Sequence, residues 1–136
     1  MLSAVVIIVS LISCSKDKTG VVNSNVLNTN GGIVKLAGQF YATTGITVSG
    51  TAKIISDGVS FSVLLDSFQV TAGPDLKVYL SKKDTPFEFI NLGPLKSNMG
   101  NQNYEVPAGV DFSVYKYILI HCQQYNHLFA IAGLKP

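Results

Sequence analysis

The sequence predicts an all-β domain: an antiparallel β-sandwich, or a partly open barrel, of about eight strands. Three observations carry this. From Ile33 onward, short runs rich in β-branched and aromatic residues recur with Gly, Pro, Asn and Asp between them. Several runs alternate apolar with polar residues, the pattern of a strand with one face buried. After the N-terminal segment, no window as long as about eleven residues sustains an apolar stripe of helical period.

Taken in order, the chain divides into residues 1–13, 14–32 and 33–136. Leu2 to Ile12 is apolar apart from Ser3, Ala4 and Ser10. At about 1.5 Å of rise per residue it is too short for a hydrocarbon core of about 30 Å, and it has the length of a signal-peptide h-region. Residues 15–32 are dominated by Ser, Asn, Thr, Gly, Lys and Asp, with Val21, Val22, Val26 and Leu27 in no sustained period. They read as a flexible tether with a reach of about 20–25 Å.

Val48–Ile55 and Val59–Leu65 flank Ser56-Asp57-Gly58, a hairpin signal, because Asp and Gly tolerate the positive φ of tight turns. In the second run Val59, Phe61, Val63 and Leu65 share a face opposite Ser60, Ser62 and Leu64. Gly73-Pro74-Asp75 makes a rigid entry to Leu76–Ser81, with the aspartate expected to bond its own downstream backbone and Leu76, Val78 and Leu80 expected inward. Phe87–Leu92, Gln102–Val106, Tyr117–Cys122 and Leu128–Leu134 complete the candidate strands. The six tyrosines could line a groove, although aromatics on alternating strands commonly pack the core.

Composition excludes several functions. All ten Lys+Arg positions are lysines and the formal charge is +2, so the chain has no guanidinium fork and little drive toward phosphate, and nucleic acid is not an expected partner. There is no G-x-S-x-G, H-E-x-x-H, P-loop or G-x-G-x-x-G, and the carboxylates are scattered. Cys14, Cys122, His121 and His127 are too few soft donors for a structural zinc once Cys14 is set aside, and no metal site is expected.

Two resemblances add to this reading. Leu11-Ile12-Ser13-Cys14 resembles the lipobox of bacterial lipoprotein signal peptides. That implies cleavage before Cys14, lipid on Cys14 and a membrane anchor. The charged residues Lys16 and Asp17 are similar to those after the lipid cysteine in some surface-exported lipoproteins, which implies the bacterial cell envelope and its outer membrane. The second resemblance runs from about Leu36 to Leu134. Gly38-Gln39-Phe40, Gly73-Pro74-Asp75-Leu76-Lys77-Val78-Tyr79-Leu80-Ser81, Leu92-Gly93-Pro94-Leu95-Lys96, Gly100 to Pro107, Tyr117 to Cys122 and Phe129 to Leu134 follow in the order of the DM-thirteen domain. In animals this domain often accompanies DOMON domains. The resemblance implies extracytoplasmic electron transfer, centred on a cysteine that acts as a bare thiol or holds a prosthetic group such as haem. That cysteine matches Cys122, and His121 stands where the family is commonly aromatic.

If Cys14 carries lipid, Cys122 is the one thiol of the mature chain, and no intrachain disulfide can form. In an oxidising compartment it is either shielded or functional. Strand alternation places it with Ile118 and Ile120, while His121 points the other way with Tyr117 and Leu119, so the neighbours cannot form a dyad. His127, beyond the loop Gln123-Gln124-Tyr125-Asn126, could fold back toward Cys122 as a ligand or as a group that lowers the thiol pKa; the alternative is an ordinary surface histidine. Two functions stay open: a redox module using Cys122, with a redox or envelope protein as partner, or a non-catalytic binding or scaffold module with Cys122 in the core.

Overall fold

Ser56, Asp57 and Gly58 turn the chain as their chemistry requires. The Asp57 carboxylate accepts the N–H groups of Val59 and Ser60 at 2.8 and 2.7 Å, and Gly58 takes φ 93°. Those backbone bonds, the one from Ser60 foremost, hold the Asp57 carboxyl below the ordinary carboxylate range. Val59 is therefore a turn residue, 95% exposed, and not the first inward position of the next strand.

The computed structural model describes residues 31–136. The leader, Cys14 and the tether, apart from Gly31 and Gly32, lie outside the described residues. Among these there is no helix and there are eight strands: β1 (Ile33–Ala42), β2 (Val48–Ser56), β3 (Phe61–Val70), β4 (Leu76–Ser81), β5 (Ile90–Pro94), β6 (Gln102–Val106), β7 (Tyr117–Cys122) and β8 (His127–Gly133). The spans of β4, β6 and β7 match the sequence reading. The expected strand Phe87–Leu92 begins instead at Ile90, because Phe87 to Phe89 belong to a loop in which Glu88 has φ 44°.

All pairings are antiparallel, in the order β5-β4-β7-β8-β1-β2-β3-β6. The eight strands form one continuous sheet, rolled nearly closed, so the partly open barrel describes the fold better than two separate layers. Strand β1 is the hinge of the roll: Ile33–Gln39 pairs with β2, and Phe40–Ala42 pairs with β8. At the seam, β5 and β6 share no ladder. Side chains bridge it instead: the Lys96 N–H donates to the Tyr104 hydroxyl oxygen at 2.8 Å and to Gln102 Oε1 at 3.1 Å, and Gln102 Nε2 donates to the Ser97 carbonyl at 2.8 Å. These bonds satisfy the largely buried Gln102 amide without closing the ring.

A bulge keeps β3 facing inward along its length. Gly50, at φ 104°, stands opposite two residues, Ser67 (φ 52°) and Phe68. The extra residue resets the alternation, so Val63 and Leu65 before it and Phe68 and Val70 after it all reach the core. Leu76, Val78 and Leu80 of β4 and Ile118, Ile120 and Cys122 of β7 line the same interior. A smaller apolar cluster, Tyr79, Leu119 and Ile131, sits on the opposite face of β4, β7 and β8. The loop after β4 covers part of it, with the Phe89 ring stacked on Tyr79 at 4.1 Å between centroids.

Candidate functional site: the thiol end of the β7–β8 hairpin

The site is built by one hairpin and one turn. Gln123 to Asn126 reverse the chain between β7 and β8, with Asn126 at φ 48° and its N–H donating to the Gln123 carbonyl at 3.3 Å. The Gln123 N–H reaches the Asp75 carbonyl at 3.0 Å, which ties the hairpin end to the Gly73-Pro74-Asp75 turn. The Asp75 carboxylate goes to Lys77 Nζ at 3.0 Å, and not to its own backbone as the sequence suggested. Asp75 is thus a structural residue of the turn.

Cys122 ends β7 with Leu76 as its cross-strand partner on one side and His127 on the other. It is 1% exposed and belongs to the main core, with Leu76, Val78, Ile120 and Phe129. It is the free cysteine among the described residues. His127 stands opposite Cys122 in the ladder, as a fold-back of the hairpin requires, but it is exposed and its ring lies edge-on to Phe129 at 5.0 Å. The hairpin therefore brings the two residues into register without opening the thiol.

His121 points to the other face, as alternation predicts, and is buried there. Its ring stacks on Tyr79 at 5.4 Å, continuing the column from Phe89, and its Nε2–H donates to Asn126 Oδ1 at 3.1 Å. Because Oδ1 can only accept, Nε2 carries the proton and Nδ1 is left as a buried lone pair without a donor. Burial also raises the Tyr79 phenol pKa above 10.0, with the Asp75 charge adding to it. This aromatic column was not foreseen. Its signal was Tyr79 and Leu119, large residues at positions that alternation assigns to the outer face.

Burial pushes the His121 pKa below 6.5; the bond to Asn126 opposes this, and the charge of His127 adds to it. The folded state thus keeps His121 neutral at pH values where the unfolded chain binds a proton. Its contribution to stability is complete above 6.5 and is lost as the pH falls below that value. The urea midpoint is expected to drop between about pH 7.5 and about pH 5, and His121→Phe, which keeps the stack, should remove part of that drop. An equal drop in both proteins would locate the acid sensitivity elsewhere.

The residues do not fit a haem. A porphyrin needs an open slot over its iron ligand, and Cys122 is enclosed by aliphatic and aromatic core residues. No group of three or more His, Cys, Asp or Glu side chains gathers around a cation site among the described residues.

The described residues thus form a nearly closed, all-β, antiparallel barrel that encloses the Cys122 thiol at a hairpin end. The family model described as Electron transfer DM13 matches residues 39–134, more than half of the chain, and the protein belongs to that family. No curated protein and no solved structure matches it.

Proposed function

We propose that this protein is a lipid-anchored electron-transfer module of the bacterial cell envelope, held at the outer membrane through Cys14 and using Cys122 as its redox group. The match of residues 39–134 to an electron-transfer family is the observation that carries the reading. The position of Cys122 at a strand end supports it: fraying that takes Cys122 away from its ladder partners Leu76 and His127 would uncover the thiol while the rest of the barrel stays paired. In such a cycle the Cys122 thiolate attacks a disulfide of a partner protein, forming a mixed disulfide while one partner sulfur leaves as a thiol with the proton. A thiol of a reduced partner then attacks that mixed disulfide and returns Cys122 to the thiol. A redox titration of the full chain is expected to show a reversible couple that Cys122→Ala abolishes while circular dichroism stays unchanged. A couple that survives in Cys122→Ala, or no couple at all, overturns the assignment. The anchor has its own check: Cys14→Ser should move the chain from the membrane fraction to the soluble fraction.

The enclosure of Cys122 favours a second reading, a non-catalytic binding or scaffold module in which the cysteine is core filling. On this reading Cys122→Ala costs about 1 kcal/mol and nothing else. Either way, Cys122 is expected to react with a maleimide at least about 100-fold more slowly in the folded chain than in denaturant, as followed on its own peptide by mass spectrometry. A thiol labelled at the unfolded rate would mean that the hairpin end does not close over it.

A further inference from the structure

The geometry points to a second site, at the far end of the barrel from the thiol: a groove of about 570 Å³ that takes a single-tailed amphipathic anion. Lys116 precedes β7 and Cys122 ends it, so six residues at about 3.3 Å each separate the two places. The floor of the groove is apolar, built by Leu36 of β1, Phe61 at the start of β3, Phe112, and Leu134 and Pro136 beyond β8. Lys35 and Lys116 stand at its rim, both exposed and, among the described residues, neither in an ion pair.

The walls are preformed. Phe61 and Phe112 meet edge to face at 5.0 Å. The Asp111 carboxylate accepts the Ser113 N–H at 2.8 Å and its hydroxyl at 2.6 Å, and the Tyr115 N–H binds the Asp111 carbonyl at 2.9 Å, so the loop carrying Phe112 is a fixed turn. The Leu134 N–H donates to the Lys116 carbonyl at 2.8 Å, pinning the C-terminal wall against the second lysine.

The charge pattern selects the occupant. An apolar floor of this volume under two unpaired ammonium groups suits a hydrocarbon tail ending in one negative head. Asp111, next to the lining residue Phe112, is occupied by Ser113. The neighbouring cavity, beyond Phe61, has Asp57 and Glu105 in its lining and is the wrong sign for such a head. Neutral tails would gain the floor but not the rim, and short anions the rim but not the floor. This site is independent of Cys122 and of any redox role.

The test is calorimetric titration of the full chain with dodecanoate, dodecanol and propanoate. Saturable dodecanoate binding is expected, about tenfold tighter than dodecanol, with propanoate not binding. The double variant Lys35→Glu/Lys116→Glu changes only exposed side chains and should bring dodecanoate down to the level of dodecanol while leaving dodecanol unchanged. Phe112→Asp should weaken both. Equal binding of the acid and the alcohol, dodecanoate binding unmoved by the double charge reversal, or no saturable binding would each overturn the proposal.

Discussion

Gly38→Ala is expected to destabilise the domain by about 3 kcal/mol or more, a large part of what a fold of this size possesses. A Cβ at Gly38 would sit 2.1 Å from the carbonyl oxygen of Gly133 and 2.7 Å from its carbon. Both are backbone atoms, so no side chain can swing aside. Nor can the strands step apart, because Ala37 and Lys135 exchange N–H···O bonds of 2.8 and 2.9 Å beside the contact. The reciprocal change is the control. A Cβ at Gly133 meets only the Tyr117 ring, at 3.7 Å, so Gly133→Ala should move stability by less than about 1 kcal/mol. Urea denaturation of the two variants decides the matter, and equal midpoints would show that the strands are not in close contact.

Phe68→Ala is expected to cost about 3–5 kcal/mol. The side chain is 1% exposed, and its ring lies 5.1 Å from that of Phe40, tilted by 59°. Truncation removes both the buried surface and the aromatic partner, and the surrounding strands are held by ladders that cannot collapse into the space. Phe61, on the same strand but 37% exposed, should lose much less on the same change. A Phe68→Ala midpoint no lower than that of Phe61→Ala would mean that the bulge at Gly50 does not direct this residue inward.

That bulge also marks the limit of sequence reading. Leu76–Ser81 and Tyr117–Cys122 were legible because their alternation is unbroken and turn residues bound them. The same alternation correctly turned Cys122 inward and His121 outward. It failed at Val59, whose apolar side chain continues the period while the Asp57 turn consumes the residue. It failed again beyond Leu65, where Asp66 and Ser67 look like a strand end but β3 runs on to Val70 through the extra residue. The loop Phe87 to Phe89 resembles a strand in composition, yet Phe89 has its partner in Tyr79, far from it in sequence. Strand β1 was the hardest to see. Ile33–Ala42 contains Gly38 in mid-strand, a residue that weakens any local strand signal, and the reason for it lies in Gly133. Propensity reports local geometry, whereas these features answer to long-range neighbours. At the site, the location of Cys122 was legible and its enclosure was one of two open readings; the Phe89–Tyr79–His121 column was not foreseen.

The division of β1 between two partners sets the order of assembly. Its first seven residues can pair with β2 as soon as a short hairpin has been made, but Phe40 to Ala42 must wait for Ala130 to Ala132, about ninety positions later. The last of the eight strands is therefore the one that joins the two halves of the sheet. Until β8 arrives, β7 has a neighbour only in β4, and Cys122, on that strand, is without the β8 side of its cover. In the growing chain Cys122 follows β1 to β6, and β8 begins at His127 just beyond it, so the thiol is without β8 for a short stretch only. The time window for oxidation is then set by how fast β8 closes on β7 and β1, and anything that slows that closure lengthens it.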